Sequence, residues 1–286
     1  MDAAVRVPLP GGLWHGGNRI GELTLRAVGR EDEGFLLESG DGSPPSERAT
    51  ALLARCLTGF DGSEAVARGL TVGDREALLL HLRRLTFGDT AESVLRCPRA
   101  ECRELLELTL SVSDLLMPPY DDARPTYDVA FGLAGLQYEV TFRLPTADDL
   151  GNVAAISAGD PDAGALELMR RCVARVTAGG ATANVEALDE AARAAIAAAM
   201  VERDPQAEIE LELRCAACGC EFAVIFDTAA FLLQELEERA KCLTHEVHTL
   251  ASHYHWGERE ILELSPGRRA RYLDLVAGGA DRTRSR

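Results

Sequence analysis

Apolar residues recur with two different periods along this chain, and the order of the two periods repeats. The first half shows strand, helix, helix, strand and strand patterns at 21–26, 46–56, 71–85, 94–96 and 105–110. The second half shows the same order at 138–143, 165–173, 188–201, 209–213 and 222–226. Side chains alternate along a strand and return every 3.6 residues along a helix. The pattern predicts an α+β fold built from two similar α/β units.

Short sequence matches connect the two units. Residues 52–56 (Leu-Leu-Ala-Arg-Cys) align with 168–172 (Leu-Met-Arg-Arg-Cys), and 95–97 (Leu-Arg-Cys) align with 213–215. Residues 25–26 and 142–143 also align, and the offset stays near 117 residues throughout. A repeat of this length is the size of a domain and longer than a solenoid unit. We interpret it as an internal duplication.

Proline and glycine mark the boundaries of the units. They predict an irregular N-terminal arm at 1–19, a first repeat at 20–116, a linker at 117–135 and a second repeat at 136–231. One apolar stripe then runs from Leu232 to about His253, and Ser265-Pro266 starts a further helix. We expect a C-terminal helical hairpin at 232–276 and a disordered tail at 277–286.

Two cysteine knuckles carry the clearest chemistry. Cys215 and Cys218 have the two-residue spacing typical of zinc ligands, and Cys97 and Cys102 have a wider spacing that still reaches one ion. Each pair lies where a hairpin would turn, as in a zinc ribbon. Cys220 is an alternative fourth ligand, but Cys218 fits the alignment with the first knuckle better. One shared structural Zn²⁺ would join the two repeats; reduced, unliganded thiols are the alternative.

The remaining candidate groups fit plainer explanations. Cys56 and Cys172 lie on apolar helix faces, where cysteine acts as a small buried hydrophobe. His245 and His248 flank a glutamate but are three residues apart, whereas the metalloprotease motif needs four. We expect solvated or helix-terminal histidines there, and a zinc hydrolase is the weakest hypothesis.

Charge narrows the choice of partners. The net charge is −16, which opposes docking on nucleic acid. There is no apolar run of membrane length and no pattern of a signal peptide. We therefore expect a soluble, cytoplasmic protein that binds other proteins. Self-association stays open.

Several segments resemble one family, the T4-type phage baseplate hub assembly proteins, which are also found in contractile injection systems. The segments are, in the C-terminal part, 231–236, 246–251 and 254–269, and in the first repeat, 29–33, 70–80 and 82–89. Two features depart from the family's pattern: the first knuckle has four intervening residues, and the second repeat lacks most of the 70–80 motif. The resemblance covers most of residues 20–276.

The resemblance implies a non-enzymatic assembly factor or minor structural component of a contractile baseplate hub. Its partners would be hub, spike or tube proteins, and its only cofactor would be structural Zn²⁺. Since aromatic residues and arginines are the usual anchors of interfaces, we expect partner-binding residues in the C-terminal hairpin at Trp256, Ile261, Arg268, Arg269 and Tyr272. The alternative is a zinc-ribbon nucleic-acid-binding or transcription-associated adaptor, which only the knuckles support.

Overall fold

The computed structural model describes residues 4–38 and 44–283, and its first half alternates short strands with helices. These elements are β1 (Val5–His15), β2 (Asn18–Leu25), α1 (Arg30–Glu38), α2 (Pro45–Cys56), β3 (Leu57–Thr58), α3 (Ser63–Gly69), α4 (Val72–Phe87), β4 (Thr90–Arg96) and β5 (Leu105–Ser111). Strands β1, β2 and β3 form one antiparallel sheet in that order, and β4 and β5 form a separate hairpin.

The second half has a similar order of elements, with a strand in the place of helix α3. They are β6 (Tyr127–Leu133), β7 (Leu136–Phe142), α5 (Ala147–Gly159), α6 (Pro161–Cys172), β8 (Val173–Ala178), β9 (Ala181–Ala183), α7 (Glu190–Arg203), β10 (Glu210–Arg214) and β11 (Glu221–Ile225). Strands β6 to β9 form an antiparallel sheet in chain order, and β10 and β11 form a hairpin. The mixed α and β content predicted from the sequence is confirmed.

Three helices complete the chain and confirm the predicted C-terminal helical region. They are α8 (Thr228–Tyr254), α9 (Glu258–Glu263) and α10 (Pro266–Thr283). Helix α10 folds back on α8, where Arg269 donates to Glu246 at 2.8 Å. The left-handed backbone of His255 (φ +57°) ends α8 and allows the chain to turn. Within the described ranges, no helix is both long and apolar enough to cross a membrane.

Helix α4 lies at the centre of the first half, and its polar residues are buried along with its leucines. Thr71 caps it by accepting from the backbone N–H of Asp74. Arg75 donates to Thr50 Oγ1 of α2 at 3.0 Å, and Arg83 forms a two-pronged pair with Glu235 of α8 at 2.7 and 2.9 Å. Burying a charged group is costly unless it is hydrogen-bonded or paired, as these two arginines are. The helix is therefore fixed to two neighbouring elements, α2 and α8.

Across residues 4–38 and 44–283, the buried apolar side chains form three clusters. One fills the first half and includes Leu232, Leu233 and Leu236 of α8, so the start of the C-terminal region packs into the first unit. The second lies under the sheet of the second half. A third, smaller cluster joins the halves through Leu80 of α4 and Ile209, which precedes β10.

Three sequence-based boundaries are wrong. The arm at 1–19 contains β1, whose proline and glycines lie at a bulge where the pairing with β2 shifts between Pro8 and Leu13. The linker at 117–135 contains β6, so the connection ends before Tyr127. The predicted tail at 277–286 is helical as far as Thr283, where α10 ends. Its last three residues, 284–286, lie outside the described residues.

Candidate metal centre

The first knuckle is held by the hairpin of β4 and β5. The backbone N–H of Cys97 donates to the carbonyl of Glu104 at 2.8 Å, which extends the strand pairing by one step. The amides of Cys102 and Arg103 both donate to the carbonyl of Arg99, and Arg103 takes a left-handed conformation (φ +50°). This additional turn accommodates the four residues between Cys97 and Cys102 and directs both thiols to the same side.

The second knuckle has a tighter turn on the hairpin of β10 and β11. Cys215 donates its backbone N–H to the carbonyl of Cys220 at 2.9 Å. Gly219 donates to the carbonyl of Cys215 and has φ +69°, a conformation that glycine adopts without strain. The outer face of each hairpin is exposed, and the knuckles meet at the turns.

The four predicted sulfur atoms come together. The Sγ atoms of Cys97 and Cys218 are 3.7 Å apart, and those of Cys102 and Cys215 are 3.8 Å apart. All four Sγ atoms lie within 4.8 Å of one another, and the cysteines are free thiols rather than disulfides. A tetrahedral ion with metal–sulfur bonds of about 2.3 Å would place its sulfurs about 3.8 Å apart. The cluster therefore has the size and donor set to hold a metal ion.

Burial and hydrogen bonding make the four thiols unequal. Cys97 and Cys215 are almost fully buried, whereas Cys102 and Cys218 are half-buried. Burial raises the pKa of the Cys97 thiol to about 12, while the backbone N–H of Cys220 lowers the pKa of Cys218 to about 7. A metal ion takes thiolates, so its binding would release protons and weaken in acid.

The other predicted thiols and histidines lie elsewhere. The Cys220 thiol donates to the carbonyl of Glu221 at 3.7 Å and is not part of the four-sulfur cluster. Burial raises the pKa of Cys56 to about 12 and that of Cys172 to about 11, so both are poor nucleophiles. Among the residues that the structure describes, the four cysteines are the only group of three or more potential ligands close enough to share an ion, and no histidine joins them.

The predicted partner-binding residues divide into two groups. Trp256 is half-buried, stacks on Tyr254 at 4.8 Å and meets Tyr272 edge-on at 4.9 Å. Arg268 is exposed. Ile261 is fully buried and Arg269 nearly so, which means that these two hold the hairpin together and are not free to contact a partner.

Sequence reasoning missed a carboxylate held by two arginines, which occurs once in each half. Arg26 donates hydrogen bonds to Asp32 from Nη1 and Nη2 at 2.6 and 3.1 Å, and Arg55 donates a third from Nε at 3.0 Å. In the second half these bonds are 2.5, 2.9 and 2.9 Å, made to Asp149 by Arg143 and Arg171. We call each trio a clasp.

The clasps sit at equivalent points of the chain. Arg26 donates its backbone N–H to the carbonyl of Cys56 at 3.0 Å, and Arg143 does the same to Cys172. Asp32 and Asp149 each follow their first arginine by six residues, at the offset of the other sequence matches. Extending that alignment by six residues beyond Arg26 would have revealed the clasps.

A second missed group joins the two halves. The buried carboxylate of Asp204 accepts from the backbone N–H of Gly73 at 2.9 Å and from the hydroxyl of Tyr120 at 3.0 Å. Asp74 accepts from the backbone N–H of Gly11 at 2.8 Å, and its buried Oδ2 has no hydrogen-bond partner in the part of the chain that the structure describes. Burial raises the pKa of both carboxyls, that of Asp204 to about 6. The contacts span 63 to 131 residues, so no local pattern indicates them.

Comparison with known proteins assigns a family. A family model described as "T4 bacteriophage base plate protein" matches residues 19–233. The motifs at 29–33 and 70–89 lie inside this match, whereas the C-terminal motifs at 246–251 and 254–269 lie outside it. No curated protein and no solved structure matches the chain. Because the family match covers most of its length, this chain belongs to the T4 bacteriophage base plate protein family.

Proposed function

We propose that this protein is a non-enzymatic assembly factor or minor structural component of the baseplate hub in a contractile, phage-tail-like particle. The family match over residues 19–233 carries the proposal, since baseplate membership implies contacts with other baseplate components. We propose that it is made in the cytoplasm and acts there or within the particle.

We further propose that the metal is Zn²⁺ and that its role is structural. The donor set favours this ion because four thiolates at tetrahedral separations suit zinc. A site with four protein ligands leaves no position for a catalytic water. When bound, Zn²⁺ would supply cross-linking of Cys97 and Cys102 to Cys215 and Cys218.

The two halves are proposed to be duplicates of one unit, at 20–116 and 136–231, joined by a zinc-ribbon-like centre. The similar order of elements supports this, and so do the paired clasps and the two hairpins that carry the cysteines. On this proposal, the metal lies close to a pseudo-twofold axis that relates the two repeats.

The test of function is affinity purification of the full chain from its native host, with mass spectrometry of what comes with it. The proposal predicts hub, spike, tube or sheath proteins. Polymerase or ribonucleoprotein components without tail proteins would overturn it and favour a nucleic-acid-associated adaptor.

The proposed contact surface is the exposed part of the C-terminal tip. Arg268→Glu reverses an exposed charge there, whereas Trp256→Ala removes a side chain that also packs on Tyr254 and Tyr272. We expect both variants to recover less baseplate protein. If Arg268→Glu and Trp256→Ala recover the usual partners in full while remaining folded, the tip is not the contact surface.

A further inference from the structure

The hairpin of β4 and β5 has a free strand edge. Within the described ranges, β5 pairs with β4 alone. The backbone bonds from Cys97 to Glu104 and from Val112 to Asp89 lie on one antiparallel register. Hydrogen-bonded pairs alternate along such a register, so Leu106 and Leu108 bond to β4. The backbone amides of Leu105, Glu107 and Thr109 therefore point away from β4, toward the free edge.

A groove follows this edge. It has a volume of about 510 Å³ and is lined by residues 104–108 on one side and by Leu213, Arg214, Ala216 and Ala217 on the other. A strand face would contribute every second residue to a groove, whereas five consecutive residues line this one. The groove is therefore open to the edge of β5 itself.

A second groove of about 590 Å³ continues the first. It lies between the hairpin and helix α8, and it shares Glu107 and Leu108 with the first groove. Together the two grooves border residues 104–109 of β5. Six residues of extended chain span about 20 Å, which is enough for one additional strand.

The chemistry of the two grooves selects the occupant. Leu105 of β5 is 56% exposed, which is apolar surface beside unpaired backbone, and Val94 of β4, which is 59% exposed, lines the second groove. Glutamates 92, 104, 107, 235 and 238 line the grooves, and Arg214 is the one basic residue among the lining residues. A second copy would bring the same acidic edge and be repelled. A basic segment is complementary in charge.

We propose that the outer edge of β5 is a docking site for an extended segment of a partner protein, in which lysine or arginine alternates with apolar residues. The segment adds a third strand to the hairpin, with main-chain hydrogen bonds supplying affinity and the glutamates supplying selectivity. This inference goes beyond the proposed function, and neither the family nor the metal is needed for it.

The test uses the full chain and a labelled synthetic peptide of about nine residues in which arginine alternates with valine. A matched peptide carries glutamate in place of arginine. Binding is followed by fluorescence anisotropy, and hydrogen exchange with mass spectrometry maps where the amides become protected. We expect the arginine peptide to bind at least tenfold more tightly than the glutamate peptide and to protect residues 104–109.

Two proline variants separate edge pairing from general attraction. Glu107→Pro removes an outward-pointing amide without removing a hydrogen bond to β4. Edge strands tolerate proline at such positions. Ala223→Pro makes the equivalent change on the other hairpin. It lies on β11, a strand that borders neither groove. Glu107→Gln removes only the charge. We expect at least a tenfold loss of affinity for Glu107→Pro, a smaller loss for Glu107→Gln and no change for Ala223→Pro.

Equal binding of the two peptides would overturn the proposal, as would protection that maps away from 104–109. If Glu107→Pro is unfolded by circular dichroism, the decision passes to Glu107→Gln and to the exchange map of the wild type. Since no baseplate protein enters this experiment, its failure leaves the affinity-purification test of function intact.

Discussion

At the scale of single residues, two buried carboxylates make the stability of the folded protein depend on pH in opposite directions. Asp149 is almost fully buried but accepts from two arginines and from Thr146. Burial by itself would raise the pKa of Asp149, yet these hydrogen bonds hold it well below its usual range. Asp204 accepts from Gly73 and Tyr120 and has no cationic partner among the described residues, and burial raises its pKa. Folding therefore favours charged Asp149 and neutral Asp204.

Asp149→Asn is expected to destabilise the protein at pH 7 by about 3 kcal/mol, because two partly buried arginines lose their anion. A lowered native pKa gives stability that is present above the unfolded value near 3.8 and is lost as pH falls through the native value. The difference from wild type should therefore persist from pH 7 to about 5 and narrow below 4. Urea unfolding across this range measures it. Asp148→Asn is the control, since that carboxylate is half exposed and its contact with Arg171 is long, at 3.8 Å.

Asp204→Asn is expected to change the pH dependence in the other direction. A raised native pKa gives stability that is full below the unfolded value near 3.8 and is lost as pH rises through about 6. A difference of about two units corresponds to about 3 kcal/mol. Wild type should lose this stability between pH 4 and 6, and the variant should not. An unchanged slope in Asp204→Asn would contradict the assignment, and the exposed Asp121→Asn serves as the control.

Helices with a strong apolar stripe were predictable at the scale of elements, and those without one were not. The spacing of Leu78, Leu79 and Leu82 indicates helix α4, and all three side chains are fully buried. Helix α5 buries few apolar side chains, so its pattern is weak. Strand β1 was missed because its proline and glycines, typical of loops, serve a bulge in a paired strand. Local pattern predicts an element where its apolar residues recur at the period of that element.

Gly73→Ala tests how closely α4 approaches the second half. A Cβ at this position would lie 1.9 Å from Asp204 Oδ1, so Asp204 would have to move and lose its bond to the Gly73 amide. We expect a loss of about 3 kcal/mol or more, measured by urea unfolding. Gly34→Ala in α1 meets no atom within 4 Å and should stabilise by about 0.5 kcal/mol or have no effect. Similar results for the two variants would rule out tight packing at Gly73.

At the scale of the whole molecule, three contacts add to the apolar cluster of Leu80 and Ile209 in joining the two halves that the structure describes. The sulfur cluster joins the hairpins, and the Asp204 group joins α4, Tyr120 and the end of α7. The third is a short backbone bridge between Thr71 and Thr146, the residues that precede α4 and α5. The start of α8 also packs into the first core. The halves are therefore not expected to unfold independently.

Cys215→Ser tests the metal as a cross-link of the whole molecule. On the zinc proposal, purified wild type should hold about one zinc per chain by elemental analysis, and the variant should lose it. We expect the melting temperature to fall by about 6 °C or more, because metal binding contributes to folding. Cys220→Ser, which lies outside the cluster, should keep both metal and stability. Full metal content in Cys215→Ser would exclude the four-cysteine site.

The amino-acid sequence by itself indicated most of the strands and helices, the cysteine pairs and the family, because these depend on local periodicity and short spacing. Only the tertiary structure decided between Cys218 and Cys220 as the fourth thiol, since Cys218 meets Cys97 across 121 residues of chain. It also decided that Asp204 lies against Gly73 and that Ile261 is buried. Such contacts depend on how separate elements pack, and a sequence pattern records the faces to be buried but not their partners.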